Sequence, residues 1–200
     1  QIAYHVSTGQ DLWGYKVHQG TVLYLALEDD ESRLQRRMFR MFGVEGTSFL
    51  HFATSAKMLG SGLDEQLEKF VREHADTKLI IVDTLQKVRE AVSDSYSYSS
   101  DYEVIGKLKQ FADRYGVCVL IVHHTRKQPA GDSFEMISGT TGLLGCADGA
   151  LLMQKEKRTD SKATLEVVGR DQPDQRLYLS KDQENLVWGL DHAENELWKQ

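Results

Sequence analysis

The sequence predicts an α/β fold, a mostly parallel sheet flanked by helices with an antiparallel strand extension toward the carboxyl end, and three observations predict it. The first is the run Lys78-Leu79-Ile80-Ile81-Val82-Asp83-Thr84. Apolar residues without alternation fit a strand buried on both faces, as in the middle of a parallel sheet covered by helices. The second is that strand-like and helix-like segments take turns along the first two thirds of the chain, as βαβ units require. The third is a change of period from Ala163 onward, where every second residue turns apolar and the pattern becomes that of antiparallel strands.

Taken in order, Ile2 to Val6 reads as the end of a helix, closed by Ser7-Thr8-Gly9, with Gly9 suited to the left-handed position after a helix terminus. Thr21 to Leu27 is an apolar strand that ends in Glu28-Asp29-Asp30. Acids at that point favour the start of a helix, whose dipole is positive there. The helix that follows shows Leu34, Met38 and Met41 on one face and Arg33, Arg36, Arg37 and Arg40 on a neighbouring stripe, and it stops at Gly43. Leu50 to Ala53 is a short strand, and Leu63, Leu67, Phe70 and Val71 mark the helix leading to the central strand.

Past Asp83, the Ser- and Tyr-rich segment Val92 to Asp101 reads as a loop. Val104, Ile105, Leu108, Phe111, Ala112 and Tyr115 then follow the helical period to Gly116. Val117 to Val122 is the fourth strand and ends in His123-His124-Thr125-Arg126-Lys127. A second polar loop, Gln128 to Gly139, precedes a Gly-rich run and a fifth strand, Ala150 to Met153. The alternating segments are Ala163 to Val168, Leu177 to Leu179 and Leu186 to Trp188, with turns at Asp171 to Asp174 and Lys181 to Asn185.

Composition narrows the function classes. A net charge of −6 argues against non-specific nucleic-acid binding over the whole surface, while leaving room for a local basic patch. The two cysteines match neither a disulfide framework nor metal-ligand spacing, which points to a reducing cytoplasm. There is no signal peptide and no apolar segment of membrane length. The chain opens with Gln1, already inside a helical pattern, so a fragment of a longer protein is expected.

Consecutive parallel strands joined by helices point their carboxyl ends the same way, so Glu28, Asp83 and His123 are expected on one edge of the sheet, where open α/β sheets bind their ligands. Each residue type suits phosphate transfer there. Asp83 would hold a magnesium ion, Glu28 would orient or deprotonate the attacking water, and His123 would contact or sense the γ-phosphate. Each also has a plainer reading. Asp83 is equally a turn-forming residue after a buried strand, Glu28 a helix cap, a role open to Asp29 and Asp30 too, and His123 or His124 an ordinary strand-end histidine. The arginine stripe reads first as a solvated helix face.

In this order, these motifs resemble the RecA-fold P-loop ATPases of the RepA and DnaB type, the hexameric helicase branch. The resemblance runs from Ser7 to Arg176. It rests on Leu23 to Asp29 as the strand-then-acid motif, Leu79 to Asp83 as the magnesium-binding strand, Val122 to Lys127 as the sensor motif, Ser138 to Asp148 ahead of the fifth strand, and Val168-Gly169-Arg170-Asp171. It implies one RecA-like ATPase domain over residues 1–200, with ATP and Mg2+ as cofactors, self-association into a ring, a hexamer by that likeness, and action on single-stranded DNA in replication as a helicase motor. It further implies that Arg170 reaches the nucleotide of a neighbouring subunit, with Arg176 as its rival and a local pairing with Asp171 or Asp174 as the plainer reading. Arg126 and Lys127 lead into a loop that the fold would point at nucleic acid. A nucleotide-switched DNA-binding or recombination-mediator ring without unwinding activity is the alternative.

One departure stands out. The phosphate loop, G-x-x-x-x-G-K-[ST], is nowhere in these residues; Gly106-Lys107 is followed by Leu108 and falls in a helical pattern. The resemblance places that loop, and the first strand, just ahead of the helix that opens the chain.

Overall fold

The computed structural model describes residues 1–89, 98–124 and 145–194, with residues 98–101 described by backbone alone. The chain runs α1 (Ile2–Thr8), β1 (Thr21–Ala26), α2 (Glu31–Phe42), β2 (Leu50–Ala53), α3 (Leu63–Glu73), β3 (Thr77–Asp83), a short 3-10 turn (Leu85–Lys87), α4 (Tyr98–Tyr115), β4 (Cys118–Val122), β5 (Gly149–Gln154), β6 (Lys162–Gly169), β7 (Gln172–Lys181) and β8 (Trp188–Ala193). The strands form two sheets, one ordered β2-β1-β3-β4 and the other β5-β6-β7-β8.

The first sheet is parallel throughout, with Ala26 opposite Asp83 and Asp83 opposite Val122. Its central strand is the one the sequence singles out: Leu79, Ile80, Ile81 and Val82 are all buried. Because side chains alternate across a strand, Ile80 and Val82 face α3 and α4 in a cluster with Leu63, Leu67, Leu108 and Phe111. Leu79 and Ile81 face the other way, in a cluster with Ala3 of α1 and Met38 of α2. The predicted helix faces are the buried ones: Leu34 and Met38 on α2, Leu63, Leu67 and Val71 on α3, and Ile105, Leu108 and Phe111 on α4.

Helix ends follow the predicted chemistry. Gly9 and Gly43 both take the left-handed conformation, φ 70° and 69°, and their amides return to the carbonyls of His5 and Phe39. A side chain with a Cβ is strained at that φ, which is why glycine stands there.

The second sheet is antiparallel; Leu165, Leu177 and Leu179 are buried on one face of β6 and β7, whereas on β5 the buried residue is Leu152, on the opposite face beside Glu166. Three expectations change here. The fifth strand pairs with β6 in antiparallel sense, not with the parallel sheet, so the change of strand direction comes before Ala163. The last strand begins at Trp188, because Leu186 sits in a turn at φ 60° whose neighbours Glu184 and Asn185 donate their amides to the Asp182 carboxylate. The turn expected over Asp171 to Asp174 is tighter, since Gly169 already faces Gln172 across β6 and β7 and only Arg170 and Asp171 lie between them. A fourth change is in α4, which starts at Tyr98, inside the segment expected as a loop.

Several hydrogen bonds tie the two sheets together. The Gln1 side chain both donates to the Trp188 carbonyl and accepts from its amide, at 2.8 Å each. The Trp13 indole N–H donates to the same carbonyl at 2.7 Å. Arg40 of α2 donates to the backbone carbonyls of Glu184 at 2.7 Å and Gln183 at 3.0 Å.

Candidate active site

Because β1, β3 and β4 are adjacent and parallel, their carboxyl ends lie on one edge of the first sheet. There Asp83 is the last residue of β3, Glu28 follows β1 by two residues and His123 follows β4 by one. The backbone joins two of these ends directly, with the Leu27 amide donating to the Asp83 carbonyl at 2.8 Å.

Glu28 is exposed and Asp83 half-buried. The buried Thr84 hydroxyl donates to Glu28 Oε1 at 3.2 Å, so the residue after one acid steadies the other. The Tyr24 phenol of β1 donates to Asp83 Oδ2 at 2.6 Å. Burial, and then the Asp83 carboxylate beside it, push the Tyr24 phenol well above its usual range, so it remains a donor. Half-buried His123 lines the same large cavity as Tyr24, whereas His124 is exposed.

The three acids after β1 divide their roles. Asp30 caps α2, its carboxylate accepting from the Arg33 amide at 2.8 Å. Asp29 is mostly buried, side chain 13% exposed, and its two oxygens meet Arg33 Nε at 2.6 Å and Arg37 at 2.8 Å. The Asp29–Arg33 contact is an ion pair without hydrogen-bond alignment. With cap and ion pair assigned to its neighbours, Glu28 is the acid of the three that the helix does not use. The arginine stripe is likewise occupied locally: Arg33 and Arg37 on Asp29, Arg36 on the Ser32 carbonyl, and Arg40 on the turn before β8.

A magnesium ion suits Asp83 better than a metal held wholly by protein. Among the described residues no three His, Cys, Asp or Glu side chains come together as a metal cage. Mg2+ commonly takes one or two carboxylates and completes its shell with water and substrate phosphate.

Arg170 is far from these acids in sequence and occupies the tip of the β6–β7 hairpin. Its guanidinium donates to the Gly145 carbonyl at 3.0 Å and lies 3.7 Å from Asp148. Asp148 is thus a local partner of Arg170 beyond the two that the sequence offers. Asp148 is also held by Lys109 at 2.7 Å, and that hydrogen bond comes first among the influences that lower its carboxyl pKa. Arg176 pairs with Glu166 at 3.3 Å and Glu194 at 3.6 Å. Arg126, Lys127 and the loop from Gln128 to Gly139 lie outside the described residues. Tyr24, Thr84, Lys109 and Asp148 are contributors the sequence reading passes over. A legible signal existed for Tyr24 alone, as a phenol inside an otherwise apolar strand.

A parallel sheet covered by helices on both faces, with acids at two adjacent strand ends and an antiparallel sheet beside it, defines a RecA-like fold. Solved structures share it: an ATPase domain (TM-score 0.70, 13% identity, covering 85% of this chain and 74% of that one), a DnaB-like replicative helicase described with its interactions with primase (TM-score 0.70, 12% identity, 85% and 51%), and the RadB recombinase (TM-score 0.56, 13% identity, 83% and 77%). This chain therefore spans about half the length of the DnaB-like helicase. The sequence profile of the AAA domain matches residues 1–130, and the chain belongs to that family. No curated protein sequence matches it. Among the described residues no helix is long and apolar enough to cross a membrane.

Proposed function

We propose that this chain is the larger part of an ATP-hydrolysing motor domain of a DnaB-like helicase, acting on single-stranded DNA as a ring. The observation that carries the reading is the meeting of Asp83 and Glu28 at adjacent strand ends, linked through Thr84, with the capping and ion-pairing duties taken by Asp30 and Asp29. The fold is shared with a DnaB-like replicative helicase and with a recombinase alike, so strand separation by the full-length protein is what would tell a motor from a mediator ring.

Hydrolysis needs a water aligned with the γ-phosphate, a group to take its proton, and charge to meet the leaving phosphate. Glu28 is placed to orient and deprotonate that water, and the Thr84 hydroxyl limits its rotation. Asp83 would hold Mg2+, directly or through water, and the ion would supply charge neutralisation to the phosphates. His123 stands at the next strand end, where contact with the γ-phosphate would report its loss. Arg170 is proposed to serve the nucleotide of the neighbouring subunit, leaving Asp148 and Gly145 when it does. Arg126 and Lys127 are proposed to meet the DNA backbone.

The cradle for the phosphates themselves, absent from these residues, is proposed to precede Gln1 in the parent chain together with one strand, the whole forming one RecA-like domain. An open place for that strand supports the reading. Among the described residues β4 and β5 are the outer strands of their sheets, and between them lies an apolar cavity of about 540 Å³ bordered by Val119, Ile121, Leu151, Met153 and Ile2. Leu151 and Met153 are 46% and 42% exposed there, and an unpaired apolar strand edge is a liability that proteins ordinarily cover.

The experiment is ATP turnover by the full-length protein and by its Glu28→Gln variant. We expect retained nucleotide binding with turnover lower by about 10² to 10⁴, the usual contribution of a general base. Normal turnover by the variant removes Glu28 from the mechanism.

A further inference from the structure

We propose that Tyr24 is a positioning residue for Asp83, turning its carboxylate so that Oδ2 is held inside the fold and the other oxygen is presented at the open edge to a divalent cation. The inference rests on the reading of Asp83 as the magnesium-binding acid. It begins from the register: Ala26 is opposite Asp83 and Tyr24 is opposite Ile81, so Tyr24 lies two residues back along the same face as Asp83. A diagonal neighbour at that separation is within reach of an aromatic side chain and out of reach of a short one. The small Ala26 leaves room beside the carboxylate, and the Tyr24 hydroxyl meets Oδ2 at 2.6 Å.

The ring is itself fixed. It packs against Phe52 of β2, with centroids 5.6 Å apart, within the apolar cluster under α1 and α2. A phenol held on both sides by strand register has little freedom to follow the carboxylate, so the carboxylate follows the phenol. Tyrosine is an unusual choice for this position if packing alone were required, because β1 is otherwise Thr21-Val22-Leu23 followed by Leu25-Ala26. A buried hydroxyl demands a partner that Phe or Leu would not.

A lone carboxylate that shares an octahedral ion with water and phosphate gains most from being turned in advance, since Mg2+ tolerates little departure from its preferred geometry. The positioning is the same in kind as the hydrogen bonds that orient metal-ligating side chains elsewhere.

The test compares wild type, Tyr24→Phe and Asp83→Asn in the full-length protein, following fluorescent ADP binding during a Mg2+ titration and in EDTA, alongside the thermal midpoint. Tyr24→Phe is expected to weaken the apparent Mg2+ affinity about ten- to a hundredfold, the range for a hydrogen bond that orients a charged metal ligand, with binding in EDTA unchanged. An unchanged Mg2+ curve, even with a lower thermal midpoint, makes Tyr24 merely structural and overturns the inference. A tighter Mg2+ curve overturns it too, because the phenol would then act by drawing charge from the carboxylate. Asp83→Asn separates the two levels. If it leaves Mg2+ dependence intact, the reading of Asp83 fails and the inference with it; if it abolishes that dependence while Tyr24→Phe does nothing, only the positioning role fails.

Discussion

The parallel and antiparallel sheets solve the same problem, burying apolar strands, and they handle charge in opposite ways. In the parallel sheet β3 is covered on both faces from Leu79 to Val82, so its charged side chains stand only toward its ends, exposed Lys78 at the start and Asp83 at the finish. The charges collect at the carboxyl edge, where neighbouring strands bring unlike functional groups together. In the antiparallel sheet β6 and β7 bury one face around Leu165, Leu177 and Leu179, and charged residues are distributed along the other. There they find partners across the strand, as Arg176 does with Glu166 directly opposite it. Chemistry is thus concentrated by the first arrangement and neutralised by the second. Arg170 is the informative exception, since it sits at a hairpin tip where no cross-strand partner is available and must borrow Asp148 and Gly145 from the segment before β5.

The largest effect that can break this contrast is catalytic. If Arg170 serves a neighbouring subunit, Arg170→Ala in the full-length protein should leave folding and nucleotide binding nearly intact while lowering turnover at least about a hundredfold, a cautious part of the range for trans-acting arginines. Mixing it with Glu28→Gln protein sharpens the point. Interfaces that pair an intact Glu28 with an intact Arg170 should recover activity in mixed rings. With mixed assembly confirmed and no recovery, Arg170 belongs with Arg176 as a local ion pair, and the antiparallel sheet carries no chemistry at all. An exposed pair such as Arg170 and Asp148 adds little stability, so losing it should barely move the melting temperature.

How much of this was legible depends on how local the cause is. The central strand, the faces of α2, α3 and α4, and the glycine caps were readable because burial and helix termination act through nearby residues. The direction of β5 was not. Ala150 to Met153 is apolar enough for a buried parallel strand, and only its pairing with β6, through contacts 14 to 20 residues distant (Leu152 to Glu166, Gly149 to Gly169), shows otherwise. The start of α4 was missed because Ser and Tyr have weak helix propensity. At the candidate site the positions of Glu28, Asp83 and His123 followed from topology, whereas Thr84 and Tyr24 depend on register between strands, which a single sequence does not spell out. The competing acids after β1 are a case of the same kind. Any of the three could cap a helix, and only geometry assigns the cap to Asp30.

That assignment predicts a smaller and opposite pattern in stability. Asp30→Ala should destabilise the protein by about 1 kcal/mol, the usual worth of a carboxylate cap, with Glu28→Gln near neutral on the same scale. Chemical denaturation of both variants checks it. Equal losses would mean that Glu28 shares the structural work of the helix start, which weakens the argument for keeping it as the catalytic acid.

The smallest effect asks whether burial in the parallel sheet extends to its outer strand. His51 on β2 meets Phe70 edge-on and His74 at a tilt, with ring centroids 5.4 Å and 4.4 Å away. Burial first, and then the nearby His74, lower its imidazole pKa, with Asp76 opposing them. A histidine held below its unfolded value binds fewer protons when folded, so its contribution is fully present above the ordinary imidazole range, about 6.5, and is lost as the pH falls through the lowered folded value. His51→Phe keeps a ring in place and removes the proton site. Wild type should therefore lose stability more steeply than His51→Phe over the interval that starts at the ordinary imidazole value, about 6.5, and runs to lower pH. Melting temperatures measured across that interval decide the matter. Parallel curves for the two proteins would show that β2 leaves His51 as free to take a proton in the folded chain as in the unfolded one, and that the dry interior of the sheet stops at β1.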